Sequence, residues 1–204
     1  MSKLWITNFI LQWSRDIRHW IHVSCYNDET ISSYYRKQGA RIGKNCRFRI
    51  RFLAPEPYLI DIGDHVFIST GVILHTHDGG VWILREKYPN LRVFGPITIE
   101  NNCIIGVRTQ ILPNVRIGRN SIVGAGSVVI TDIPPNSIAM GVPARVVGST
   151  LKHEEKCLNI WKEQKPPGLI TDRGDSHWWH DKKNQKTLKN HLLKLFRNKE
   201  EGQR

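Results

Sequence analysis

Ile99, Ile105, Ile111, Ile117, Val123, Val129 and Pro135 stand six residues apart through the middle of the chain, and all but the last are β-branched aliphatics. A six-residue period matches neither the helical repeat of about 3.6 nor the strand repeat of 2. The spacing predicts a repeating coil, the pattern of a parallel β-helix. In such a coil each short strand contributes one inward aliphatic, and stacked turns bury a continuous core.

The neighbouring positions follow the same period. Gly106, Gly118 and Gly124 come directly after an aliphatic, where the coil must turn a corner and glycine takes positive φ freely. Four residues after the aliphatic stand Cys103, Thr109, Val115, Ser121 and Ser127, all small enough for the inside of a narrow prism. Upstream, Ile62-Gly63, Ile68 and Leu74 keep the register, with Val66 and Val72 at the small position, and Ile42-Gly43 with Cys46 reads as a degenerate first unit. Three hexads give turns of about 18 residues, so 62–79, 99–116 and 117–134 are the expected turns. Pro134-Pro135 is expected to end the coil and send the chain outward.

Register is lost once. A hexad due after Leu74 is missing, and the pattern resumes only at Ile99, so 80–98 must leave the prism as a long loop. Long excursions from a rigid scaffold are where function concentrates. Outside the coil, 4–21 spaces Leu4, Ile6, Phe9, Ile10, Trp13, Ile17, Trp20 and Ile21 as one face of a helix flanked by basic residues. Such a helix packs on its own domain or lies on a membrane surface. The stretch 187–197 is a second basic amphipathic candidate, and Lys165-Pro166-Pro167-Gly168 breaks structure before a polar stretch holding Trp178-Trp179. The expected organisation is an N-terminal helical segment 1–40, a coil domain 41–149 and a basic, partly mobile C-terminal extension 150–204.

With 204 residues and 40% hydrophobic content, the chain can bury one real core. Of the net charge of +12, the coil 41–149 and the extension 150–204 carry +5 each and residues 1–40 carry +2. Phosphorylated donors, nucleotide- or lipid-linked sugars and anionic membrane surfaces attract such charge, and a basic surface with no particular partner carries it equally well. No nucleic-acid motif accompanies it, so nucleic acid is not an expected partner. The four cysteines form no CxxC pair, and Cys46 and Cys103 fall at the small inner position, which predicts reduced thiols in a cytoplasmic protein. Neither a leader-like segment nor a run of 18 apolar residues is present. The expected location is cytoplasmic, or peripheral at the inner membrane face.

The hexads, followed by SVVITDIPPNSIAMGVPARVVG at Ser127 to Gly148, resemble the hexapeptide-repeat acyltransferases over about residues 40–150. The likeness is greatest to the branch holding galactoside, maltose and xenobiotic acetyltransferases and the O-acetyltransferases of bacterial surface polysaccharides. It implies an all-β core, a left-handed parallel β-helix with helical extensions at both ends. It also implies acetyl-CoA as donor, a sugar or glycan hydroxyl as acceptor, and a homotrimer. A nucleotide-sugar N-acyltransferase or a non-catalytic β-helix assembly module are the alternatives.

In these enzymes a histidine at the root of the excursion is the catalytic base. His77, in Leu74-His75-Thr76-His77-Asp78-Gly79-Gly80, matches that position best, and His75 is the fallback. Taking a hydroxyl proton as it attacks a thioester suits a neutral imidazole held in one tautomer. A backbone carbonyl, Asp78 or Glu86 are the candidate orienters. His65, His75 and His77 are also the available histidines for a metal, but their spacing does not resemble that of the γ-class carbonic anhydrases sharing the fold, so no metal is expected. By position in the family motif, Val107, Ala125 and Ile130 would line the pantetheine arm. Arg145 would meet phosphate or adenine, with Arg116 and Arg119 as helpers. Where galactoside-type members orient the sugar, this chain has Arg47-Phe48-Arg49-Ile50-Arg51, suited either to an anionic acceptor or to the outer face of an edge strand.

Overall fold

A computed structural model of the chain describes residues 27–167, 169 and 181–201. Helix α1 (Asp28–Lys37) is followed by twelve short strands that coil. These are β1 (Arg41–Ile42), β2 (Arg47–Phe48), β3 (Ile60–Ile62), β4 (Phe67–Ile68), β5 (Ile73–Leu74), β6 (Ile97–Ile99), β7 (Ile104–Ile105), β8 (Gln110–Ile111), β9 (Arg116–Ile117), β10 (Ile122–Val123), β11 (Val128–Val129) and β12 (Ser137–Gly141). Strand β13 (Ala144–Ser149) folds back on β12, and α2 (Thr150–Gln164) and α3 (Lys182–Glu201) follow. Each strand stacks in parallel on one a turn earlier, three strands back in the regular coils and two strands back where the third or first face lacks a strand. The first face is β1-β3-β6-β9, the second β2-β4-β7-β10-β12 closed by antiparallel β13, and the third β5-β8-β11. This is a left-handed parallel β-helix with helices at both ends.

The six-residue period has a direct structural meaning. Ile62, Ile99 and Ile117 on the first face, Ile68, Ile105 and Val123 on the second, and Leu74, Ile111 and Val129 on the third are each 1% exposed or less. The small residues between them fill the narrow inner corners. Where they carry a polar group, a corner carbonyl accepts its hydrogen: Thr109 Oγ1 donates to Gly124 O at 3.1 Å, Ser127 Oγ to the same oxygen at 2.7 Å, and Cys103 Sγ to Gly118 O at 3.2 Å. Burial pushes the thiols of Cys46 and Cys103 up from their ordinary value, which keeps them unreactive.

The glycines play a different part from the one expected. Positive φ falls three residues after most of the inward aliphatics, at Asn45, His65, Gly71, Asn102, Arg108, Asn114, Asn120, Gly126 and Asn136, and not at Gly106, Gly118 or Gly124. Gly106 is required by proximity. A methyl there would lie 2.5 Å from the backbone nitrogen of Ala125 in the next coil, well inside contact distance. Asparagine tolerates the left-handed position, and here it adds a ladder. Asn102 Nδ2 donates to Asn120 Oδ1 at 3.0 Å, Asn120 Nδ2 to Asn136 Oδ1 at 2.9 Å, and His65 Nδ1 meets Asn102 Oδ1 at 2.8 Å.

The end of the coil also departs from expectation. Pro135, due to point inward, is exposed, and Ile133 is the buried residue. Ile99 pairs with Ile117 a full turn on, but Ile117 bridges Ile133, so the last turn is two residues short. Asp132 Oδ1 accepts the backbone N–H of Arg116 at 2.7 Å, taking the place of a carbonyl in the shortened turn. The coil then continues past Pro134-Pro135, with β12 pairing in parallel on β10.

The first coil is covered by a helix. Helix α1 opens with a capping box between Asn27 and Thr30 and packs on β1 and β2. Tyr35 is fully buried, its ring edge-on to Phe48 at 5.2 Å and its hydroxyl donating to Ile50 O at 2.9 Å. Burial, with the neighbouring Tyr34, raises its phenol above the usual range. At the other end the β12–β13 hairpin adds an antiparallel strand to the second face. By contacts the chain divides into Met1–Thr150 and Leu151–Arg204, so α1 belongs with the coil. Much of the C-terminal extension is helix; the expected helix at 4–21 and the Trp178-Trp179 pair lie outside the described residues.

The two kinds of glycine are separable by substitution. Gly126→Asn places asparagine at a position three neighbouring units give to it and should shift urea stability by less than about 1 kcal/mol. Gly106→Ala should cost about 1–3 kcal/mol or more, because backbone must move to admit the methyl. Equal losses in the two variants would contradict this assignment.

Candidate active site

The excursion leaves the prism at the end of β5 and is held at its root by a short antiparallel ladder. His77 bridges Phe94, Asp78 N donates to Val93 O at 2.9 Å, and Gly95 N donates to Thr76 O at 3.0 Å. Beyond it, Asp78 Oδ1 accepts from Gly80 N at 2.7 Å and caps a 3₁₀ turn, Gly79–Leu84, whose Val81 is buried. Side chains at residues 75–77 are therefore fixed on both sides, by the coil and by the ladder.

His77 faces a carboxylate. Its Nδ1 lies 3.0 Å from Glu56 Oε2, and its ring stands edge-on to Phe94 at 6.4 Å. Thr76, completely buried, donates its hydroxyl to the same Glu56 oxygen and accepts the Glu56 backbone N–H at 3.3 Å. Glu56 is thereby locked in place. Its partial burial acts to raise the carboxyl pKa, but hydrogen bonds from Thr76 and His77, with the attraction of the His77 ring once protonated, outweigh this and hold it below the usual carboxylate range. An ionised carboxylate only accepts hydrogen bonds, so it places the imidazole hydrogen on Nδ1 and leaves a lone pair on Nε2. Nε2 has no hydrogen-bond partner among the described residues.

Neither orienter suggested by the sequence contacts the ring. Asp78 is committed to its cap, and Glu86 is exposed on the excursion. Glu56 takes that position instead. It is the only carboxylate between Arg41 and Ile60, set between Pro55 and Pro57 one irregular coil upstream. That isolation was the available signal, and the broken register there hid which residue it would meet. His75 lies at the third-face corner, with Nε2 3.0 Å from Gln110 Oε1 of the next coil.

His75 and His77 line a groove of about 800 Å³ along the third face, together with Arg49, Arg51, Phe52 and Ile73. Phe52 and Ile73 are exposed there at 62% and 48%. Arg49 and Arg47 share the carboxylate of Asp28, at 2.7 and 3.2 Å. Of the residues expected along the donor arm, Val107 and Ala125 stack on one edge of the third face, where Gly126 N donates to Val107 O. Ile130 lies on the other edge, above His75, because Leu112 N donates to Val129 O and His75 N to Ile111 O. Val107, Ala125 and Ile130 are exposed.

Arg145 pairs with Met140 in the closing hairpin; Met140 stacks on Gly124, beside the Val107 edge. The Arg145 side chain is exposed, and among the described residues its hydrogen bond is to its neighbour's carbonyl, Ala144 O at 2.9 Å. Arg116 and Arg119 stand apart from this group. They belong to the first face, where both engage Glu100. The Arg119 backbone N–H and the Arg116 side chain, in that order, hold the Glu100 carboxyl low. His65 sits at a different corner from His75 and His77, bonded to Asn102. Among the described residues no three His, Cys, Asp or Glu cluster as a metal site would require.

This geometry meets clear relatives. Residues 96–131 match the bacterial transferase hexapeptide family of six repeats. Protein CapG of Staphylococcus aureus is 51% identical over 127 residues, which cover 60% of this chain and 73% of CapG. The galactoside O-acetyltransferase of Escherichia coli K12 is 42% identical over 106 residues, and the chain spans about half of that relative's length (52%). Among solved structures, a hexapeptide-repeat containing acetyltransferase from Vibrio cholerae superposes with a TM-score of 0.54 at 24% identity, covering 67% of this chain and 89% of that one, a likeness of fold. The repeat register, the coil and these relatives together place the chain in the hexapeptide-repeat acyltransferase family, to which it belongs.

Proposed function

We propose that the protein is an acetyl-CoA-dependent O-acetyltransferase acting on a sugar hydroxyl, in the assembly of a bacterial surface polysaccharide or related glycan. The observation that carries the proposal is His77, set at the mouth of the third-face groove with Nδ1 on Glu56. In this reading Nε2 takes the proton of the acceptor hydroxyl as its oxygen attacks the thioester carbonyl. The tetrahedral intermediate collapses with loss of the CoA thiolate, and the imidazolium returns the proton to that sulfur. Acetyl passes directly from sulfur to oxygen, so no serine or cysteine nucleophile is required. Glu56 keeps the ring in its working tautomer and offsets the charge His77 gains.

The donor would lie along the third face. Stacked coils are about 4.8 Å apart, so a pantetheine arm held by Val107, Ala125 and Ile130 runs from the hairpin end, with Arg145 near its phosphates, down to the histidines. The acceptor would enter beside Phe52 and Ile73, apolar surfaces suited to the carbon face of a sugar ring. Arg49 and Arg51 on the same wall favour an acceptor bearing a phosphate or carboxylate. The galactoside named for the Escherichia coli relative supports a sugar acceptor. A homotrimer would cover the exposed Trp82 and Ile83 of the excursion, at 72% and 82% exposure.

Replacing the base should stop turnover and leave the fold intact. His77→Ala is expected to lose about 10²–10⁴-fold in acetyl-CoA-dependent thiol release across a panel of sugar acceptors. Near-wild-type rates would remove His77 from the mechanism. Glu56→Gln should lower kcat on the order of tenfold to a hundredfold with acceptor KM little changed.

The same variant reports on acid stability. The carboxyl is depressed in the fold, so its contribution is full above the unfolded value of about 4.3 and fades as pH falls through the lowered one. Glu56→Gln should therefore lose less unfolding free energy than the wild type between about pH 5 and pH 3; parallel curves would show that the pair is not formed. Arg145→Ala should raise KM for acetyl-CoA with kcat nearly unchanged, and an unaltered KM would take Arg145 out of the donor site.

A further inference from the structure

Helix α3 presents two unlike faces. At 100° per residue, Lys182, Lys186, Lys189, Leu193, Phe196 and Arg197 fall in one stripe, and all six are exposed. Along the opposite side, Leu188 is buried, and His191, Leu192 and Leu195 are half-buried. Lys183 and Lys194 flank the exposed stripe, and no Asp or Glu occurs from 182 to 197; Asp181 caps the helix just before it. A merely solvated helix face interleaves charges of both signs and places leucine and phenylalanine elsewhere. Here Leu193 and Phe196 stand 46% and 47% exposed among like charges.

That combination fits a particular partner. Cations next to exposed apolar side chains on one helical stripe match the boundary between anionic lipid headgroups and acyl chains. A nucleic-acid backbone would reward the lysines but leave Leu193 and Phe196 without use. We propose that α3 docks the protein on a membrane surface bearing anionic headgroups, its lysines and Arg197 over the lipid phosphates and Leu193 and Phe196 at the acyl boundary. No helix among the described residues is long and apolar enough to cross a membrane, so the attachment is peripheral and reversible.

The test is co-sedimentation of the full chain with vesicles of phosphatidylcholine alone or mixed with phosphatidylglycerol, at low and high salt. The wild type should bind the mixed vesicles, release from them as salt rises, and ignore the neutral ones. Removing Lys186, Lys189 and Lys194 together as glutamines should weaken binding about a hundredfold, at about fivefold per cation near an anionic surface. Leu193→Ser with Phe196→Ser should weaken it about tenfold or more with the charge unchanged. All five positions are exposed, and circular dichroism checks that the variants keep their helix. Absence of vesicle binding, equal binding to both vesicle types, wild-type binding by either variant, or binding to a DNA duplex in preference to vesicles would overturn the proposal.

Discussion

Coils stacked at the spacing of hydrogen-bonded parallel strands, about 4.8 Å, leave almost no room between successive corners. Every feature of the prism answers to that closeness. The residue after each buried aliphatic must often be glycine, as Gly106 shows against Ala125. The position two further on mostly turns left-handed, which favours asparagine and glycine, with His65 and Arg108 as the other occupants. The inner corners admit only small side chains, and their hydroxyls and thiols find partners because corner carbonyls point at them. The stack is therefore rigid where it is regular, and chemistry can only be placed where regularity stops.

It stops at three places. At the lower end, residues 50–56 follow β2 without forming a third-face strand, which opens the groove and delivers Glu56. At Leu74 the chain departs on its excursion, and the ladder at Thr76, His77 and Asp78 pins the departing strand. At Ile133 the turn shortens and leads into the hairpin that carries Arg145. The first two irregularities lie in adjacent coils and meet as the Glu56–Thr76–His77 cluster. The third lies at the far end of the stack, beside the Val107 edge of the third face, opposite the edge that carries His75. A long donor with phosphates at one end and a thioester at the other suits such a separation, and the rigid coils between would hold it in register.

The periodic part of the molecule was legible in the sequence because a six-residue repeat has few physical solutions. Ile99 through Val129 reported the coil, and the gap after Leu74 reported the excursion. Aperiodic contacts were not legible. Glu56 meets His77 across an irregular coil whose length no repeat sets, so nearer carboxylates such as Asp78 looked equally suitable. Asp78 was already engaged by Gly80 N, as short acidic side chains before turns commonly are. The shortened last turn escaped for a similar reason: Asp132 replaces a backbone acceptor, and no hydrophobic pattern records that exchange. Glycine after the aliphatic was recognised, but proximity and not φ is what demands it.

Acetyl transfer at His77 requires the third face to hold the donor. Calorimetric titration of the wild-type protein with acetyl-CoA and with free CoA tests it most directly. Saturable binding of both ligands at about one site per subunit is the result expected if the groove holds the pantetheine arm and phosphates. No binding of either ligand would contradict it, leaving the coil as an assembly module and the His77–Glu56 pair without a substrate to act on.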